Sequence, residues 1–314
     1  IEVLGLPSVL WIPAIAVVAC FFIIWFGVKE SPELHGGRFD TVGLILVAIA
    51  LLGFTGGLFL LRVYGPGSLL AWVVTLIGLV LMWPFIAWEL RQNDPVVDVR
   101  MFTNPALWPV FLTAGLFGVS VLGAQAPLST FARTDPAIYH YGLGASSGMT
   151  SILIGVYVLM LAVGALLLPV VTKLVAPRVA LIGASAMVAL GYLLFLPLHA
   201  SFIETLVNMV IAGIGSGALV AALPAAAAAA APPAQTGVAT GLTNSVKTVG
   251  GAVASAVFGI ALATHPDGTA AGTAGSFSGY LTVWTVCGLT ALAAAIALAF
   301  VPKAAFSDQP ASAE

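Results

Sequence analysis

The chain has 314 residues; 61% are apolar, only 7% are Asp, Glu, Lys or Arg, net charge is −2 and mean hydropathy is +1.12. Soluble domains carry roughly 25% charged residues, so these values exclude a soluble globular enzyme and a disordered chain. With no basic stretch to neutralise a phosphate backbone, nucleic acid is excluded as a partner, and what remains is a chain threaded repeatedly through a lipid bilayer.

A helix crosses the hydrocarbon with roughly 20 apolar residues. That window predicts nine helices, over residues 8–28, 41–61, 68–90, 106–132, 145–171, 179–197, 202–230, 237–263 and 278–301. The first is too long, and lacks the basic flank, for a signal peptide. Asp40 sits where an N-cap belongs, ahead of Thr41. Pro105 fits the first turn of the fourth helix. Pro232 and Pro233 close the alanine run 225–231, and Asp267 with Gly268 marks a turn before a Gly/Ser/Thr-rich loop. Trp11, Trp25, Trp88 and Trp108 fall at helix ends, as an interfacial belt requires. Gly144/Gly148 and Gly213/Gly217 are small-residue pairs that let helices approach closely.

Consecutive loops alternate sides. One side receives Lys29, Arg38, Arg91, Arg100, Lys173, Arg178 and Lys303; the other receives Arg62 and Arg133. Cationic loops stay cytoplasmic. The N-terminus of this segment is then outside and its C-terminus inside, and a protein with a cytoplasmic start needs an odd number of spans upstream.

Ionised groups inside a bilayer cost at least about 2.5–3.5 kcal/mol on insertion scales. The acids avoid that cost by position: Glu89 ends a span, Glu204 begins one and Asp40 caps one. His35, His140, His199 and His265 lie in loops, and Cys20 and Cys287 lie apart in apolar runs. The sequence therefore calls for no metal, no cofactor and no catalytic acid–base pair. Lys247 is the exception. Asn244, Lys247 and Gly251 fall at i, i+3 and i+7 on one helix face, where the lysine either meets a water-filled cavity or snorkels to the cytoplasmic interface. Gln125, Thr150, Tyr157 and Asn208 either line a cavity or hydrogen-bond helix to helix, the second being commoner for a lone polar residue.

Three stretches carry a resemblance. Asp94-Pro95-Val96-Val97-Asp98-Val99-Arg100-Met101-Phe102-Thr103-Asn104 resembles the linker of the fourteen-span drug:proton antiporters of the major facilitator superfamily. Arg38-Phe39-Asp40-Thr41-Val42-Gly43 resembles the opening of an inter-bundle helix there. The run Ala212-Gly213-Ile214-Gly215-Ser216-Gly217, then Pro224, Gly241, Asn244, Lys247, Gly250 and Gly251, resembles two spans of the second bundle. The chain departs from the family at Gly5-Leu6-Pro7, where that pattern has Trp-Arg-Trp. It departs again in the loop before Lys173 and Arg178, and at Arg133 in place of a glutamine.

The resemblance implies an all-α polytopic membrane protein with nine helices of a probable fourteen. Residues 1–28 would be the last helix of the N-terminal bundle. Residues 29–104 would be linkers and two extra inter-bundle helices, 105–302 a C-terminal six-helix bundle, and 303–314 a cytoplasmic tail. A five-helix N-terminal segment would lie upstream and carry the proton-binding acid. The implied function is multidrug-type efflux of hydrophobic or cationic small molecules across the bacterial cytoplasmic membrane, by proton antiport through alternating access. Superfamily geometry then puts Gln125, Thr150, Tyr157, Asn208, Asn244 and Lys247 at the substrate cavity. The competing readings are a non-transporting fragment or scaffold, and a polytopic membrane transferase, which would need clustered His, Asp or Glu at a membrane face.

Overall fold

A computed structural model describes residues 5–28, 40–92, 95–232, 235–263 and 274–300. The described residues contain helices and no strand. They divide into two units, 1–38 and 39–314. In the first unit, α1 (Gly5–Gly27) contains Pro13. Its side chains from Ile15 to Phe26 are exposed and apolar, with Phe21 on Trp25 and Phe22 on Phe26 one turn apart.

The second unit opens with a hairpin, α2 (Thr41–Tyr64) and α3 (Leu69–Glu89). Asp40 caps α2, accepting from Gly43 N–H at 2.9 Å, and Ser68 caps α3 by accepting from Ala71 N–H. Gly65, at φ 79°, makes the turn between them. The two backbones cross at Gly53 and Gly78; a Cβ on Gly78 would overlap the backbone of Gly53 and Phe54. Such contact is how helices associate where burial from water supplies no drive.

A 3₁₀ turn (Val99–Thr103), capped by Asp98, leads into the bundle. Its first span is continuous from Trp108 to Arg133 but not uniform. It runs as α4 (Trp108–Gly118), a π turn (Val119–Gly123) and α5 (Gln125–Arg133). Pro105 lies in the turn before α4 instead of in its first turn, and Pro109 takes the early-helix position. After the short α6 (Pro136–Tyr139) come α7 (Ser147–Leu174), α8 (Pro177–Leu193), α9 (Phe202–Ala230), α10 (Thr236–Ala263) and α11 (Phe277–Ala299). A capping box of Ser201 and Glu204 starts α9, and the helix ends at Ala230, one residue before the alanine run gives way to Pro232.

Each apolar segment predicted from the sequence is mostly helical in its described part; the sixth, predicted over 179–197, is helical only to Leu193 and ends in turns. Seven helices among the described residues are long and apolar enough to cross a membrane; the apolar helices Pro13–Gly27 and Pro177–Leu193 are shorter. The chain is a multi-pass membrane protein. The turn expected at Asp267 and Gly268, the tail from Lys303, and Lys29, His35 and Arg38 lie outside the described residues.

Glycines weld the bundle. Gly164 abuts the Ile214 backbone and Gly217 abuts that of Leu161, so α7 and α9 run parallel in close contact. Gly118 meets the Lys247 carbonyl and Gly250 the Gly115 carbonyl, joining α4 to α10, also in parallel. The Gly213/Gly217 pair thus packs as expected. Gly144 and Gly148 do not: Gly144 sits in a turn at φ 56°, and nothing lies on Gly148 but the Ser146 hydroxyl at 3.8 Å.

These contacts also sort the cations. Gln235, at the start of α10, hydrogen-bonds Asp98 of the linker at 3.3 Å. Parallel α7 and α9 both end near that level, so Arg91, Arg100, Lys173 and Arg178 share one end of the unit. Arg62 packs on Gly259 near the far end of α10, the end to which α5 carries Arg133.

Candidate functional site

Polar groups inside the bundle fall into separate sets. The first lies on α10. Its packing face is Thr243, Gly251, Ala254 and Phe258, all buried. Asn244, Ser245 and Thr248 are exposed beside it. Lys247 Nζ donates to Asn244 Oδ1 at 2.9 Å, and Thr248 Oγ1 donates to the Asn244 carbonyl. Among the described residues the one ion pair is Arg100–Asp98, at 4.0 Å, so no acid neutralises Lys247. Gly251 continues the same face but is covered by Leu122 of the π turn. The polar stripe therefore closes one to two turns beyond Asn244.

The second set is buried. Tyr157 of α7 is 4% exposed and donates to Ser216 Oγ on α9 at 3.3 Å. Tyr192 of α8 donates to the Ser120 carbonyl at 2.8 Å. Ser120 Oγ donates to the Cys287 carbonyl of α11 at 3.2 Å. The π turn is what presents Ser120 to both neighbours, since an i→i+5 turn breaks the regular ladder. Asn208 is fully buried: its Nδ2 donates to the Leu198 carbonyl at 2.7 Å, and Oδ1 has no partner. Thr150 is buried and donates back to the Ser146 carbonyl. Gln125 is exposed at the first position of α5.

Of the six predicted cavity residues, then, the structure joins Asn244 to Lys247 and leaves Gln125 exposed. It buries Thr150, Tyr157 and Asn208 among the helices. An aromatic cluster of Phe131, Phe195, Tyr280 and Trp284 closes the end of the bundle that carries Arg133, with centroids 5.0–5.2 Å apart for Phe131–Tyr280, Phe131–Trp284 and Phe195–Trp284. Above it, Tyr141 O–H donates to the Gly275 carbonyl. Burial, then the neighbouring Tyr139, pushes the Tyr141 phenol above its ordinary value and keeps it a donor.

An apolar cavity of about 690 Å³ separates the hairpin from α10, between Val47, Phe85, Phe102, Leu242, Val246 and neighbours. Ser245 and Thr103, which also line it, spend their hydroxyls on their own helix carbonyls. No group of three His, Cys, Asp or Glu that could hold a metal ion occurs among the described residues.

Sequence reading missed the inner end of the hairpin. Trp88 is no free belt residue: its indole N–H donates to Asp40 Oδ1 and Oδ2 at 3.1 and 2.9 Å. Glu89 is 1% exposed, with Oε2 accepting from Val97 N–H at 3.4 Å and Oε1 unpartnered. The available signal was topological. Two antiparallel helices joined by a short turn bring the start of one, Asp40, beside the end of the other, Glu89.

No family model matches the sequence. The chain is similar to the quinolone resistance protein NorB of Staphylococcus aureus strain MRSA252, 29% identical over 300 residues, covering 92% of this chain and 61% of that protein. NorB of strain MW2 is 29% identical over 301 residues, and that of bovine strain RF122 is 28% identical over 301, with the same coverage. The chain thus spans about three fifths of the length of the curated relatives it matches.

Proposed function

We propose that this chain is the C-terminal part of a major-facilitator-type secondary transporter that exports hydrophobic or cationic small molecules by alternating access. The observation that carries the reading is the similarity to a resistance protein over 92% of the chain, hairpin and bundle alike. In this reading the hairpin is the extra inter-bundle pair, of a fourteen-span protein, and α4 to α11 form the second bundle. The end bearing Arg91, Arg100, Lys173 and Arg178 is cytoplasmic by its cationic excess. A missing N-terminal five-helix segment supplies the other wall of the cavity, and protons drive exchange.

The exposed stripe of Asn244 and Lys247, together with Gln125, is where substrate meets this half. Lys247, held by Asn244 and unneutralised, faces water from the cytoplasmic side. Tyr157 acts beneath that surface by tying α7 to α9 and Asn208 by tying α9 to the segment that follows α8, while Thr150 bonds within the start of α7. The test is efflux of a fluorescent hydrophobic cation from cells making the whole protein, with each of the six positions changed to Ala. Altered rate or selectivity at Asn244, Lys247 or Gln125 supports the assignment; unchanged transport and selectivity at all six overturns it.

A further inference from the structure

Two carboxyl groups face each other at the inner end of the hairpin. Glu89 Oε1 and Asp40 Oδ2 each lie 2.5 Å from the point a Cβ on Gly43 would occupy, so they are within about 5 Å of one another. Asp40 is held from both sides, by Gly43 N–H and by the Trp88 indole. Glu89 is held by Val97 N–H on one oxygen, and its other oxygen is buried without a partner among the described residues. Among the described residues, the charged and polar groups of the neighbouring elements are committed elsewhere or face outward. Asp98 accepts from Arg100 N–H and from Gln235 of α10. The Arg100 guanidinium donates to the Leu90 carbonyl. Arg91 is exposed.

A buried Glu89 carboxylate within about 5 Å of the half-buried Asp40 carboxylate, with no cation between them among the described residues, is repelled and forgoes solvation at once. A single proton removes both difficulties. A neutral Glu89 gains an O–H to give, and Asp40 Oδ2 has a lone pair to receive it. Gly43 is what leaves room for the two to meet, because a Cβ there would stand between them.

We propose that Asp40 and Glu89 form a carboxyl–carboxylate site that binds one proton, and that this proton clasps the inner ends of α2 and α3. When the proton leaves, Glu89 moves toward water and Val97 N–H loses its acceptor. The linker segment that Gln235 ties to α10 is then released from the hairpin. The site is a pH-dependent clasp between hairpin and linker, and it stands independently of what the protein transports.

The test uses the intact protein in lipid nanodiscs and no transport readout. Infrared spectroscopy on raising the pH is expected to show loss of one protonated-carboxyl carbonyl band, absent in Glu89→Gln and shifted in Asp40→Asn. The melting temperature of the unmodified protein is expected to fall as the pH rises from the ordinary carboxyl range through the point at which Glu89 loses its proton. Glu89→Gln, which keeps a donor for Asp40 and cannot ionise, is expected to abolish that fall. A melting profile in Glu89→Gln with its pH slope unchanged, or a Glu89 carboxyl ionised throughout, overturns the proposal. Should Glu89→Gln not fold, Asp40→Asn keeps the cap and removes the second charge; a pH slope that is weakened but not abolished supports the proposal, and an unchanged slope overturns it.

Discussion

The hairpin and α10 are equally poor in buried surface, yet they expose opposite chemistry. Within their most apolar stretches, 17% of α2 and 22% of α10 is buried, against 61% of the span that contains the π turn. Apart from Thr41, Arg62 and Tyr64 at the ends of α2, the large outward side chains of α2 and α3 are Leu, Ile, Val, Phe and Trp. Those of α10 near its start include Asn244, Ser245 and Thr248, with Lys247 beside them. An apolar face left open suits lipid, whereas a polar face left open inside a bilayer needs water or a partner. Exposure alone does not separate the two surfaces; the polarity of what is exposed does, and the proposed substrate surface rests on that difference.

Substitutions can break that contrast. The largest effect is expected from Gly217→Val, which drives a side chain into the Leu161 backbone. We expect a loss of about 3 kcal/mol or more, read as failure to elute as a single species, whereas Gly78→Val is expected to disturb the hairpin and leave the bundle intact. Asn208→Ala removes the bond to the Leu198 carbonyl and should cost about 1–3 kcal/mol in thermal unfolding. Tyr141→Phe should cost about 0.5–1.5 kcal/mol by releasing the Gly275 carbonyl. Because the folded Tyr141 phenol titrates above its ordinary value of about 10, its contribution is complete below that pH and is lost as pH rises through the folded value. Tyr141→Phe removes this alkaline loss in a melting-temperature series. The smallest stability effect belongs to Lys247→Ala, within about 0.5 kcal/mol, although the proposed efflux role expects the largest change in transport there. Lys247→Cys should react with a membrane-impermeant thiol reagent in inside-out vesicles and not in cells; the reverse pattern overturns the assigned orientation.

Much of the architecture was legible because lipid imposes a length. The stretch 202–230 emerged to the residue, since a capping box and a proline pair bound it. The N-cap at Asp40 and the Asn244–Lys247 pairing are local, at spacings a helix dictates. The π turn, the Tyr157–Ser216 and Tyr192–Ser120 bonds, and the Asp40–Trp88–Glu89 junction were not legible, because each joins residues 48 or more positions apart or depends on a neighbour's shape. Glu89 is the instructive failure. A position at a helix end suggests exposure, but the end of α3 is roofed by the start of α2 and by Val97.

The paired glycine contacts of α7 and α9 have a kinetic consequence. Each helix carries a notch filled by the other's main chain, at Gly164 and again at Gly217. Sliding along the axis would require backbone to pass through backbone. Whatever displacement this half of the molecule undergoes, these two helices travel as a single beam, and hinges must be sought at the ends of that beam.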